Sequence, residues 1–148
     1  MKTTRLYGLL AMLSVGMLAC NEPNDPIIDE DLLGVVWRVD TLWTPEEEIV
    51  PGLDTLMTME FNEDLKINVD TPCNAYAGTY AISTYGKIAI EWQIWTEMAC
   101  LQGSAARRGI LESRFIQTLN NASGYAVTDS ALSLYDSDLR WVVNLKNE

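Results

Sequence analysis

The chain has 148 residues, of which 48% are hydrophobic, and it carries 10 basic against 21 acidic side chains, a formal net charge of −11. That balance speaks against nucleic acid as a partner and against adsorption to anionic lipid by charge. There is no histidine, so imidazole general acid–base catalysis and histidine-activated nucleophiles are excluded.

Lys2 and Arg5 precede an apolar run from Leu6 to Ala19, which is too short to span a bilayer as a helix. Residues 1–19 therefore read as a signal peptide. The run ends in Met17-Leu18-Ala19-Cys20, similar to the lipobox of bacterial lipoproteins, with Met17 where leucine is commoner. Cleavage there would leave Cys20 as an acylated N-terminal residue, and several acyl chains on one residue give stable anchoring. The expected location is the cell envelope, lipid-anchored at the outer membrane on its periplasmic or surface face. Residues 20–31 continue as NEPNDPIIDED after the cysteine. Prolines and acids without aromatics mark an acidic, flexible tether, which leaves residues 32–148 as one domain with one core. Without Lys2 and Arg5 the chain holds 8 basic against 21 acidic residues, a net charge of −13. A cationic partner is compatible with this, and so is plain solubility at a crowded surface.

Val35, Trp37 and Val39 alternate with Val36, Arg38 and Asp40, giving a first strand with one buried face. Thr44 to Gly52, TPEEEIVPG, reads as a loop whose adjacent glutamates are too tightly spaced for a calcium site. Met57, Met59 and Phe61, the turn Asn62-Glu63-Asp64, and Leu65, Ile67 and Val69 form a hairpin. Asp70-Thr71-Pro72 leads to Cys73. Asn74 is expected to hydrogen-bond turn backbone through its side chain; it and Tyr76 are also candidates for contact with a ligand.

Gly78 to Thr84 alternates again, turns at Thr84-Tyr85-Gly86, and returns as Lys87 to Ile94 with Ile88, Ile90, Trp92 and Ile94 on one face. This is a second hairpin. Beyond Ile94 the pattern fails, and Trp95 to Ala99 read as an irregular crossing. Ser104 to Asn121 is the single helix, with Ser104 as N-cap and Leu111, Phe115 and Leu119 as its apolar stripe. Tyr125 with Val127, then Leu132 with Leu134, then Leu139, Trp141, Val143 and Leu145 are the inward residues of three closing strands. In an oxidising compartment Cys73 and Cys100 are expected to form a disulfide, worth roughly 3.5 kcal/mol by loop entropy. With Cys20 lipidated, no cysteine is left over. Two cysteines without histidine offer too few soft ligands for a metal site, and no cofactor is expected.

The sequence CNAYAGTY from Cys73, then TEMAC ending at Cys100, then ESRFIQTL before a tyrosine-led strand, resembles the META/HslJ-like domain family. GVVWRV near the start of the domain fits the same family, and the resemblance runs from about Leu32 to Leu145. It implies a small bacterial envelope protein, often a lipoprotein, linked to heat response and novobiocin resistance. It supplies no catalytic residues, because the family has no established catalytic motif.

The expected fold is mainly β: a strongly coiled antiparallel sheet or small barrel of about eight strands with one helix packed over an open end. A flatter α+β sandwich is the alternative. Three functions compete. One is a non-catalytic envelope lipoprotein acting in stress tolerance or antibiotic resistance by binding a protein or small molecule. The second is a calycin-like carrier using the barrel interior for a small hydrophobic ligand. The third, an enzyme, finds no catalytic constellation in the sequence, and none is assigned. Trp95 is a candidate binding residue. Continued alternation would point it outward as an anchor for a partner; a bend after Ile94 would tuck it under the helix against Leu111 or Phe115.

Overall fold

The computed structural model describes residues 26–52, 56–98, 100 and 104–147. The signal peptide and Cys20, with its expected lipidation, lie outside the described residues. A short 3-10 helix, Glu30–Leu32, precedes nine strands and one helix. The strands are β1 (Val36–Trp43), β2 (Glu48–Ile49), β3 (Thr58–Phe61), β4 (Lys66–Asp70), β5 (Ala75–Thr84), β6 (Lys87–Trp95), β7 (Gly124–Thr128), β8 (Ala131–Tyr135) and β9 (Val142–Asn147). The helix α1 (Ser104–Asn121) lies between β6 and β7 in the chain. All strands join one antiparallel sheet in the order β2-β1-β3-β4-β5-β6-β7-β8-β9, and pairing of β1 with β9 closes it into a ring.

The expected antiparallel sheet with one packed helix is the observed architecture. The ninth strand comes from the acidic loop: Glu48 and Ile49 pair with Trp43 and Leu42 and fold Thr44 to Ile49 back on β1 as a small hairpin. Alternation decides most of the core. Trp37, Met59, Phe61, Ile67, Leu132, Leu134, Val143 and Leu145 are all at most 1% exposed. Phe115 and Leu119 bring the helix stripe into that interior, with Leu111 buried outside the main cluster, and Phe61 meets Tyr80 edge-on at 4.9 Å. Side chains with essentially no accessible surface leave no water-sized space beside them, so these interior positions are filled rather than lining a ligand chamber.

Three expectations need correction. Ile94 does not continue the buried face of β6. Gly78 pairs with Trp92 while Ala77 pairs with Ile94, so Gln93 is an extra residue, a bulge, and it reverses the alternation beyond it. Ile94 consequently stands 69% exposed. Gly78 permits the close approach: a Cβ there would lie 2.2 Å from the Glu91 carbonyl oxygen. Leu139 is likewise not an inward strand residue. It occupies a turn with φ 58°, 65% exposed, because the Asp136 carboxylate accepts from the amides of Arg140 (2.7 Å) and Trp141 (3.3 Å) and delays the strand.

The third concerns the tether, whose last residues are docked. Ile27 bridges to Ile82, and the Tyr125 hydroxyl donates to Asp29 Oδ2 at 2.6 Å. Burial and then that acceptor push the Tyr125 hydroxyl up to about 12, so it stays a donor. Leu32 is fully buried, and its carbonyl accepts from the Trp37 indole at 3.3 Å.

Candidate functional site

The β4–β5 loop, the end of β6 and the first half of α1 meet around one carboxylate. Glu112 follows Leu111 on the helix, so it is turned toward the sheet and is only 5% exposed. A buried charge must be compensated, and here four donors converge on it. Oε1 accepts from the Tyr76 hydroxyl at 2.8 Å and from Asn74 Nδ2 at 2.6 Å. Oε2 accepts from the Asn74 amide at 3.1 Å and stands next to the Thr71 hydroxyl. That hydroxyl also lies 2.7 Å from the Asn74 carbonyl, and with one hydrogen it serves one acceptor at a time. Burial raises the Tyr76 hydroxyl well above the ordinary phenol range, and donation to Glu112 and its charge raise it further. Tyr76 therefore remains a donor.

Asn74 links this carboxylate to the crossing after β6. Its Oδ1 accepts from the Met98 amide at 2.7 Å and from the Thr96 hydroxyl at 3.0 Å. The side chain thus bonds backbone, as expected, but of a segment 24 residues on. The Cys73–Cys100 disulfide, with Cα atoms 6.2 Å apart, ties the same two segments covalently. Gly109 lets the helix pass close: a Cβ there would be 3.3 Å from Cys100 Cβ.

Beside the disulfide opens a groove of about 540 Å³. Cys73 and Asn74 border it on the loop side and Gly109, Ile110, Glu112 and Ser113 on the helix side, with Met98 at its rim. Met98 is 65% and Ile110 59% exposed, so two apolar side chains stand open to water beside the polar Ser113 and Gln117. Chemically, all four acceptor positions of Glu112 face donors. A carboxylate so occupied holds segments together and has no free lone pair for a substrate proton. Among the described residues no group of acids and cysteines is placed to hold a metal ion.

Of the residues singled out in the sequence, Cys73 and Cys100 are bonded, and Asn74 and Tyr76 share Glu112. Trp95 extends β6 opposite Tyr76 and is 52% exposed. It is neither an irregular crossing residue nor buried beneath the helix. Glu112, Thr71 and Met98 were missed. The one available signal was an acid at position 112, between Leu111 and Phe115 on the face that must be covered.

The sequence profile of the META domain matches residues 30–148. No curated protein sequence matches the chain. Two solved structures share its fold. A DUF4847 family protein from Bacteroides vulgatus is 14% identical, with a TM-score of 0.58 over 79% of this chain and 94% of that one. A protein from Burkholderia xenovorans is 16% identical, with a TM-score of 0.59 over 85% and 96%.

Proposed function

The chain belongs to the META domain family, and from that premise we propose that it is a non-catalytic binding protein of the cell envelope. Acyl chains on Cys20 hold it there, and the groove beside the Cys73–Cys100 bridge is its binding face. The observation that carries this reading is the contrast inside the site. Its polar centre is saturated by internal hydrogen bonds, whereas two apolar side chains of its lining, Met98 and Ile110, are exposed. A fixed frame with exposed apolar side chains suits recognition, because little entropy is lost on binding. The filled interior favours an external site over a carrier chamber. Stress tolerance or novobiocin-type resistance, which the family resemblance implies, would then follow from capture of an envelope protein or small molecule at this groove.

Complementation of a deletion strain tests both parts. Cys20→Ser should leave the membrane fraction and fail to restore tolerance. Met98→Glu with Ile110→Glu should fractionate with membranes, melt like the wild type, and still fail to complement. Full complementation by the double variant, or membrane retention of Cys20→Ser without fatty-acid labelling of the wild type, defeats the reading.

A further inference from the structure

The ring of strands has one weak seam. β6 pairs with β5 from Lys87 to Trp95, but with β7 it shares only the register pair Lys87–Gly124. The Ile88 amide donates across that seam to the Ser123 carbonyl at 3.3 Å. In an antiparallel strand alternate residues turn their amide and carbonyl to the same side, so Ile90 and Trp92 face the way Ile88 does. A second bond gives the same phase. The Tyr80 amide donates to the Leu65 carbonyl at 2.9 Å, toward β4. Its partner on β6 is Ile90, so that pair exchanges no hydrogen bonds and the polar groups of Ile90 point away from β5.

Beyond Lys87 no strand among the described residues lies on that side of β6. Nor does α1 fill the place of a strand. It is held by the inward side chains: Trp92 Nε1 donates to Asn120 Oδ1 at 2.7 Å and Tyr76 to Glu112. It therefore lies over the face of the hairpin rather than in the plane of the sheet. From Ile90 to Trp95 the open edge is roughly 17 Å long.

We propose that this edge of β6 accepts an extended peptide segment of another protein as an added strand, one with basic residues alternating with apolar ones. Open edges template such additions: main-chain bonds give affinity and alternate side chains give specificity. The exposed side chains along and just beyond the edge are Glu91, Gln93, Ile94, Trp95 and Glu97. Neither glutamate forms an ion pair among the described residues. A basic strand would neutralise them while covering Ile94 and Trp95. A second copy of this chain fits worse, because antiparallel pairing of two β6 edges crowds the Glu91 carboxylates of two strongly acidic molecules. The edge is distinct from the groove, so either surface can fail its test without the other.

The probe is a synthetic peptide of alternating lysine and valine, about eight residues long, titrated into the isotope-labelled full domain and followed by amide NMR. Shifts and slowed hydrogen exchange should concentrate at Ile90 and Trp92. Methylating alternate peptide nitrogens on the bonding edge, or replacing lysine by glutamate, should weaken binding by at least about tenfold. Glu91→Lys, an exposed change, should reverse the preference between the lysine and glutamate peptides. Ile90→Pro removes an amide that no pair among the described residues uses and should abolish binding while the protein stays folded, since edges tolerate proline. If it unfolds, Glu91→Lys and the methylated peptide still decide. Equal binding of the methylated peptide, shifts centred elsewhere, an unchanged preference in Glu91→Lys, or no binding near 1 mM peptide overturns the proposal.

Discussion

The β5–β6 hairpin has two halves that look alike in sequence and are held in different ways. Near the tip, Tyr80, Ile82 and Ile88 are buried in the common core. Near the root, past the Gln93 bulge, Ile94 and Trp95 face water. The tip half is fixed by packing. The root half is fixed by a carboxylate with four donors, an asparagine bridge and a disulfide. Polar and covalent fastening leaves its surface free of the need to be buried. The lesson is that an exposed surface can be rigid without being part of the hydrophobic core.

This comparison can be broken by substitution. Ile88→Ala, in the packed half, should cost about 2–5 kcal/mol, read from the shift in denaturant midpoint. Glu112→Ala in the root should cost about 3 kcal/mol, because it strands the Tyr76 hydroxyl and leaves Asn74 only Thr71 Oγ1 for its amide and the Met98 carbonyl, at 3.4 Å, for Nδ2. Hydrogen exchange should show that loss as local loosening of Thr71 to Tyr76 and Thr96 to Met98, with the tip still protected. Ile94→Ala should change stability by less than about 0.5 kcal/mol. If Ile94→Ala proves as damaging as Ile88→Ala, the root is core after all and the contrast fails.

The same contrast explains what could be read in advance. Period-two patterns placed Met57 to Val69, Gly78 to Ile88 and Leu132 to Leu145 with few errors, because one buried face imposes them on the sequence. The helix was legible through Leu111, Phe115 and Leu119 for the same reason. Ile94 and Leu139 were misplaced because a bulge and a side-chain-capped turn change the phase of a strand without changing its composition. The cysteine pair was legible from the count and from the oxidising compartment that the N-terminal segment leads one to expect. Glu112 was not, because its partners Thr71, Asn74 and Tyr76 lie 36 or more residues away, and nothing local distinguishes an acid with four donors from one in solvent. The end of the tether was missed because docking by Ile27 and Asp29 depends on tertiary partners that an acidic, proline-rich stretch does not advertise.

The bridge between Ile27 and Ile82 also sets a direction. Six residues lie between Cys20 and Ile27, so the seven Cα–Cα steps reach at most roughly 25 Å. With the anchor proposed at Cys20, the hairpin tip would be moored within that reach of the bilayer, with Tyr85 exposed at its turn. From Ile82 the strand runs to Asn74 over roughly 27 Å. Anchored so, the domain would stand off the membrane on the long axis of its own hairpin, and the end carrying the groove, Trp95 and the open edge of β6 would be the one presented to whatever passes through the surrounding compartment.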